Sequence, residues 1–393
     1  MRVLYPGIGG SGVEVYTERL AAGLAPLGWK GQLLRFSPAW EYFPWGLRLA
    51  WNKTGLLTKE CDLLHVNADY GCYFSVAGKP LVATLHHSSI DALYLSSLSF
   101  PVRWHHRLVL KPSVENTLRR ANALVAVSQH TRDTICELFQ QELPIRVILN
   151  GIDTKRFRPG VEPVSGEGSA TTDDTCESGS RSSVYREPSS AHGGEAEGQP
   201  APAGELAFED LSTEPSKNDG PIVLFFSGNL SHRKGVDLFV PVMKRLGGDY
   251  ELRVTGGLRG AASVFDAPNI RCLGRLSEDE LIQQINLADL SFQPSRREGF
   301  GLSILEAMAC GKPVVSSNVS AIPEVLEHEK GGYLCEPGSV DQLVNAIRRL
   351  GDSETLRKQM GRFNRRVVEE KFTLDRMARA YHALYQSVAG EPA

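Results

Sequence analysis

Short apolar runs alternate with helical segments along two stretches of this 393-residue chain, and no other feature narrows its fold as far. In the first stretch the runs fall at residues 3–5, 33–36, 63–66, 81–85, 124–127 and 147–149, with helical segments at 14–27 and 132–139. In the second they fall at 222–226, 252–255, 270–273, 290–293 and 314–316, with helices expected at 236–246, 278–286, 303–310 and 340–350. Ser277 followed by Glu280 has the form of a capping box, which fixes the start of one of these helices. Runs this short, bounded by turn residues, read as strands buried on both faces. Strands that alternate with helices predict parallel sheets with helices on either side, so the chain is expected to be α/β, with two doubly wound, Rossmann-like domains. Sheets of that kind take ligands at the carboxyl ends of their strands, here in a cleft between the domains.

Residues 160–220 separate the two stretches. They are rich in Ser, Gly, Glu, Pro and Ala, and carry 13 acidic residues against 3 basic ones. Such a segment cannot bury enough apolar surface to offset its ordering entropy, and reads as an acidic low-complexity linker or inserted loop. The expected division is therefore residues 1–159, the 160–220 linker, 221–372, and a terminal helix within 373–393. The net charge of −3 conceals this asymmetry, because 40 basic and 33 acidic residues remain outside the linker. A basic body favours anionic partners such as nucleotide phosphates or a membrane surface. The excess is modest and no nucleic-acid motif accompanies it, so no nucleic-acid partner is expected. No run of about 18 apolar residues is present to cross a membrane. The first residues lead directly into a strand and a glycine loop rather than a secretory signal. Seven scattered cysteines with no C-x-x-C pair predict neither a disulfide framework nor a zinc site. These features together predict a cytoplasmic protein.

Three loops carry chemistry. Gly7-Ile-Gly9-Gly10-Ser11-Gly12 follows the first strand and opens the first helix, a form that lets backbone N–H groups approach a phosphate. The acidic residue of a dinucleotide site is missing from the second strand, where Arg35 stands. Phosphate binding, an NADP 2′-phosphate partnered by Arg35, and a plain tight turn all remain open for this loop. In the second stretch, Gly228-Asn229-Leu230-Ser231-His232-Arg233-Lys234-Gly235 follows a buried strand. Further on, Arg297-Glu298-Gly299-Phe300-Gly301-Leu302-Ser303 runs into Glu306-Ala307-Met308-Ala309-Cys310-Gly311-Lys312-Pro313. Glu298 sits in a glycine-bounded loop and can reach sugar hydroxyls. Glu306, eight residues on, lies in the following helix, where its carboxylate can accept both hydroxyls of a ribose. The N–H groups from Phe300 to Ser303 are left over at a helix start and suit a diphosphate. Arg233 and Lys234 would meet charge that develops on a departing phosphate.

The E-x7-E spacing and its neighbours resemble the retaining glycosyltransferases of family 4, which have the GT-B fold. The resemblance covers the chain apart from the acidic linker, and extends to Ser128-Gln129-His130-Thr131 and Asn150-Gly151-Ile152-Asp153. It implies a donor site in which Glu298 holds the transferred sugar, Glu306 the ribose and Lys234 the diphosphate. Gly10 and Gly12 would lie under the phosphates from the opposite domain. His86, in Thr84-Leu85-His86, matches the histidine that such enzymes place near the transferred sugar, with His87 beside it as an alternative. The family commonly has arginine where this chain has Asn229, and Arg233 is the candidate to replace that charge. The implied catalytic residues are His86, Lys234 and Glu298. The implied donor contacts are Gly10, Gly12, Arg233, Lys234, Glu298, Phe300, Gly301, Leu302, Ser303 and Glu306.

The donor implied by this resemblance is a nucleotide diphosphate sugar, and the acceptor a saccharide or lipid-linked molecule, in cell-surface polysaccharide or glycoconjugate synthesis. No cofactor is expected, and no Asp-x-Asp pair is present to hold a metal on the diphosphate. Competing readings are a non-catalytic nucleotide-sugar binder that kept the fold, and an NADP-dependent oxidoreductase built on the first glycine loop. Trp40, Tyr42, Phe43, Trp45 and Trp51, and the basic aromatic segment from Pro101 to Arg107 with Lys111, Arg119 and Arg120, read either as core aromatics and a solvated helix face or as a surface for an anionic membrane. The segment after Phe372 is expected to be helical and, by the resemblance, to cross back to the first domain.

Overall fold

A computed structural model describes residues 1–8, 12–41, 44–52, 60–87, 100–160, 220–256 and 265–390. Residues 161–219 of the acidic linker, Gly9, Gly10, Ser11, Tyr42 and Phe43 lie outside the described residues. Six strands build the first sheet: β1 (Arg2–Ile8), β2 (Lys30–Phe36), β3 (Leu63–Asn67), β4 (Leu81–Leu85), β5 (Ala123–Ala126) and β6 (Ile145–Val147). Their order is β2-β1-β3-β4-β5-β6, and every pairing is parallel. The second sheet holds β7 (Ile222–Phe226), β8 (Tyr250–Thr255), β9 (Ile270–Gly274), β10 (Leu290–Gln293), β11 (Val314–Ser317) and β12 (Gly332–Cys335). It runs β12-β11-β10-β7-β8-β9, again parallel throughout.

Among the described residues the expected strands and helices form to within a few residues, with four adjustments, one being that Val236–Leu238 form a 3-10 turn ahead of the helix Phe239–Leu246. The strand expected at 147–149 forms two residues earlier, at Ile145–Val147, because Leu124 to Ala126 of β5 pair with those positions. The first helix, Gly12–Leu24, stops before Ala25-Pro26-Leu27, which tighten into a 3-10 turn. Pro26 has no N–H with which to continue the α ladder. The strand β12 was not expected, since Gly-Tyr-Leu-Cys is short and begins on glycine. It forms because Val314 to Ser317 offer a free parallel edge. The helix Glu278–Leu287 begins on the expected capping box, with Ser277 Oγ and the Glu280 carboxylate each accepting from the other's backbone N–H.

Strand order fixes where ligands can enter. In the first sheet the order reverses between β1 and β3, and in the second between β7 and β10. At such a point the crossover helices depart to opposite faces and leave a crevice at the carboxyl ends of the strands. The loops after β7 and β10 hold Arg233, Lys234 and Glu298 of the expected site residues.

The helix Leu374–Ala389 packs on the first sheet. Met377, Ala378, Tyr381, Leu384 and Tyr385 are buried there with Val3, Tyr5, Tyr16, Leu20 and Leu24. A polar chain threads this core. Tyr385 OH lies 2.6 Å from His65 Nδ1, and His65 Nε2 lies 2.6 Å from Thr84 Oγ1. Thr84 Oγ1 is 3.1 Å from Tyr381 OH, which accepts from Tyr16 OH at 2.5 Å. Burial pushes the His65 imidazole down to about 3, so it is neutral at physiological pH and can serve as donor at one nitrogen and acceptor at the other. Tyr16, His65, Thr84, Tyr381 and Tyr385 each have a partner within this network, which is the condition for buried polar groups to stabilise a core.

Candidate functional site

Two loops meet at the carboxyl ends of β7 and β10. After β7 the chain makes a 3-10 turn at His232–Lys234 and passes through Gly235 with φ +73°. A Cβ at Gly235 would stand 2.0 Å from the carbonyl oxygen of Pro294, so the left-handed turn and the close approach both require glycine. The loops are joined by Arg296 N donating to Arg233 O at 2.8 Å, and by Arg233 Nη1 donating to Arg297 O at 3.1 Å. This juncture brings together three of the expected residues. Lys234 Nζ donates to Glu298 Oε2 at 2.8 Å, and Arg233 Nη1 lies 3.4 Å from the same oxygen. Lys234 is 7% exposed. Burial acts to raise the Glu298 carboxyl, but the Lys234 and Arg233 charges outweigh it and hold the group below the usual carboxylate range.

From Glu298 the chain enters the helix Leu302–Ala309. Gly301 caps its start at φ +101° with no side-chain cap. The first helical bond shown at this end runs from Leu305 N to Gly301 O at 3.0 Å, so the N–H groups of Leu302 and Ser303 precede the ladder. Ser303 Oγ donates to Gln293 Oε1 at 3.3 Å. Phe300 turns its ring away from the loop into the core, against Phe372, and Leu302 packs on the same core. Those two residues can contribute backbone groups to a ligand, whereas their side chains anchor the loop. Glu306 is buried on the same helix and accepts from Arg19 Nη2 at 2.8 Å.

The first half of the chain closes on this loop at several points. Ser128, the N-cap of the helix Gln129–Phe139, accepts from Thr131 N and donates its hydroxyl to Gly299 O at 2.8 Å. The N–H groups of Gln129 and His130 donate to the Glu324 carboxylate at 2.8 and 2.7 Å, placing an anion at a helix start. A Cβ at Gly299 would lie 1.9 Å from His86 O, so only glycine lets the loop pass. His86 is thus set beside the Glu298 loop, its ring edge-on to Tyr16 at 4.5 Å between centroids. Burial, with His87 and His65 nearby, pushes the His86 imidazole down to about 3. His87 is held near 4, by burial first and then by the Arg233 charge. A narrow pocket here is lined by His87, His130, Thr131, Arg233, Arg297 and Glu298.

Gly12 begins the first helix with open space at its Cα. Arg35 is held by both Glu14, at 2.5 Å, and Glu18, so the cation expected for a 2′-phosphate is already partnered by carboxylates of the adjacent helix. Arg19 is the residue at this site that the sequence did not single out. On an amphipathic helix, a lone arginine carries no signal that distinguishes it from a solvated one.

Two families match the chain. The one described as Glycosyltransferase Family 4 covers residues 30–156, and the one described as Glycosyl transferases group 1 covers residues 207–367. A glycosyltransferase of Methanocaldococcus jannaschii, described as uncharacterized, is 30% identical over 189 residues, 47% of this chain and 54% of that protein. The match therefore spans about half the length of that curated relative. Among solved structures, sucrose-phosphate synthase from Thermosynechococcus elongatus superposes with a TM-score of 0.73 at 17% identity, over 98% of each chain. The Anabaena protein HepE, in complex with UDP and glucose, superposes with a TM-score of 0.68 at 17% identity, over 98% of this chain and all of that one. Two parallel six-stranded sheets with the E-x7-E loop on the second, two family matches in chain order and these structural neighbours lead to one assignment: the chain belongs to the group 1, family 4 glycosyltransferases and has the GT-B fold.

Proposed function

We propose that this protein is a retaining, metal-independent glycosyltransferase that moves a sugar from a nucleotide diphosphate sugar to a saccharide or lipid-linked acceptor. The observation that carries the reading is the Lys234–Glu298 pair, with Arg233 beside it, at the β7/β10 crevice and one short loop from the helix that bears Glu306. Glu298 accepts from hydroxyls of the donor sugar, and Glu306 from those of the ribose. Lys234, Arg233 and the N–H groups at the start of Leu302–Ala309 meet the diphosphate as it departs. The bond from the anomeric carbon to the phosphate oxygen breaks. The acceptor oxygen bonds to that carbon on the same face, and its proton passes to the leaving phosphate. Such a step needs preorganised cations more than a strong protein base. A neutral His86 suits it, offering hydrogen bonds to the transferred sugar without adding a charge. Close contact of the two halves at Gly299 would keep water, a competing acceptor, from the reacting carbon.

A thermal-shift panel of UDP, GDP, ADP, their common sugars and NADPH tests the donor half of this reading. One nucleoside diphosphate is expected to raise the melting temperature by several degrees at about 100 times its dissociation constant, where binding adds roughly 2.7 kcal/mol. Glu306→Ala is expected to abolish that shift, and transfer from the matching sugar to continue in EDTA. A shift with NADPH alone, or turnover stopped by chelation, would refute it.

The acceptor's carrier is proposed to be an anionic membrane, the protein acting from the cytoplasmic face. Among the described residues, no helix is long and apolar enough to cross a membrane. Supporting a surface contact, Phe100, Trp104 and Leu108 are exposed on one short segment, at 70%, 45% and 64%. Arg107 and Lys111 are exposed beside them. Apolar side chains set among basic ones suit the interface of an anionic bilayer. Trp51, by contrast, is buried in the first core and Trp40 packs against that core, so neither joins this surface. Vesicles containing anionic lipid are expected to carry the protein upward on flotation at low salt, and Trp104→Ser with Leu108→Ser to leave it at the bottom. Equal flotation of both proteins would remove the segment from the proposal.

A further inference from the structure

Arg19 stands on the helix Gly12–Leu24 of the first sheet, but its guanidinium is spent on the second half of the chain. Nη2 donates to Glu306 Oε1 at 2.8 Å and to Glu278 Oε1 at 3.1 Å. The guanidinium carbon also lies 5.0 Å from the centre of the Phe157 ring. The Arg19 side chain is 11% exposed and that of Glu306 9%. Nη1 of Arg19 is buried and has no hydrogen-bond partner among the described residues. Taking a guanidinium and a carboxylate out of water is costly, and only close pairing offsets it. As a strut between the two halves, Arg19 would be served by Glu278 alone, which is more exposed at 32% and is shared with Arg156. The shorter contact goes instead to the carboxylate read above as the ribose acceptor.

We propose that Arg19 is a positioning residue of the donor site, holding one oxygen of Glu306 so that the carboxylate is oriented for ribose before the nucleotide arrives. The assignment rests on the donor-site reading of Glu306. An ionised carboxylate has about four lone-pair positions, so the contact with Nη2 leaves room for two hydroxyl donors. A glutamate side chain loses considerable rotamer freedom on binding, and a preset rotamer removes that cost from the binding step. Because Arg19 belongs to the first half and Glu306 to the second, this preset rotamer exists only while the halves are in contact. Nucleotide affinity is thereby coupled to closure of the fold.

Calorimetric titration with whichever of UDP, GDP and ADP the wild type binds tests this, using Arg19→Gln, Arg19→Lys and Glu278→Gln. Arg19→Gln is expected to weaken binding by tenfold or more and to raise the donor KM much more than it lowers kcat. Arg19→Lys, which restores a cation without the planar fork, is expected to fall between it and the wild type. Glu278→Gln should bind within twofold of the wild type. If Arg19→Gln does not fold, Arg19→Lys carries the test, with a loss of at least threefold expected. Wild-type affinity in the folded Arg19 variant would overturn the assignment alone. So would equal losses in Arg19→Gln and Glu278→Gln, which would make the arginine a strut. A wild type that binds none of the three nucleotides would overturn the donor-site reading and this assignment with it.

Discussion

Lys234→Ala is expected to lower sugar transfer by about a hundred- to a thousandfold, the loss that follows removal of a single preorganised group from developing charge. The same substitution is expected to destabilise the fold, because Glu298 would keep its burial and lose its nearest cation. Breaking a buried pair from one side costs about 3–5 kcal/mol. Arg233, at 3.4 Å from the same carboxylate oxygen and partly committed to Arg297 O, compensates only in part. The two effects can be separated. Lys234→Ala combined with Glu298→Gln removes the buried charge, so stability should recover while transfer does not. The pairing also has a pH signature. A carboxyl held below its unfolded value contributes stability above the ordinary carboxylate range and loses it as pH falls through the folded value. Initial rates near neutral pH, and unfolding of the single and double variants from neutral pH down to about pH 2, check all of this. Transfer within fivefold of the wild type in Lys234→Ala would remove the lysine from the chemistry.

Ending the chain after Phe372 is expected to unfold the first half altogether. The helix Leu374–Ala389 supplies Met377, Tyr381, Leu384 and Tyr385 to the core of the first sheet, all but fully buried. At roughly 1.5–3 kcal/mol for each large side chain buried, their loss amounts to on the order of 6–12 kcal/mol. That matches the whole stability of a typical domain, roughly 5–15 kcal/mol. Their loss also strips His65 Nδ1 of Tyr385 OH and Thr84 Oγ1 of Tyr381 OH, leaving polar atoms in an apolar interior. Tyr381→Phe offers a milder form. It removes the hydroxyl that accepts from Tyr16, whose ring abuts His86, and should cost about 1–3 kcal/mol with the fold retained. Circular dichroism and limited proteolysis of the truncated chain, beside melts of Tyr381→Phe, decide the point. A truncated protein that melts as the wild type does would show that the helix is dispensable.

Much of the candidate site was legible in the chain because its parts are local. Glu298 and Glu306 stand eight residues apart on one loop and helix, and a capping box or a glycine-bounded turn is complete within a few residues. The strand and helix rhythm is local too, since backbone periodicity and side-chain polarity repeat within each element. Strand β12 escaped because a four-residue segment starting on glycine carries almost no propensity, and its pairing with β11 stabilises it. Arg35 was ambiguous because sequence cannot say that Glu14 and Glu18 would reach it from the neighbouring helix.

The residues alone establish the α/β class, eleven of the twelve described strands, and which loops bear carboxylates, cations and helix-start N–H groups. Only the tertiary structure decided which of those groups meet. Lys234 reaches Glu298 across 64 residues, Arg19 reaches Glu306 across 287, and Tyr385 reaches His65 across 320. Local propensity acts over a few bonds and cannot encode such pairs. They are fixed by strand order, which brings the ends of β7 and β10 together, and by burial, which makes each desolvated charge or hydroxyl depend on a partner from elsewhere in the chain.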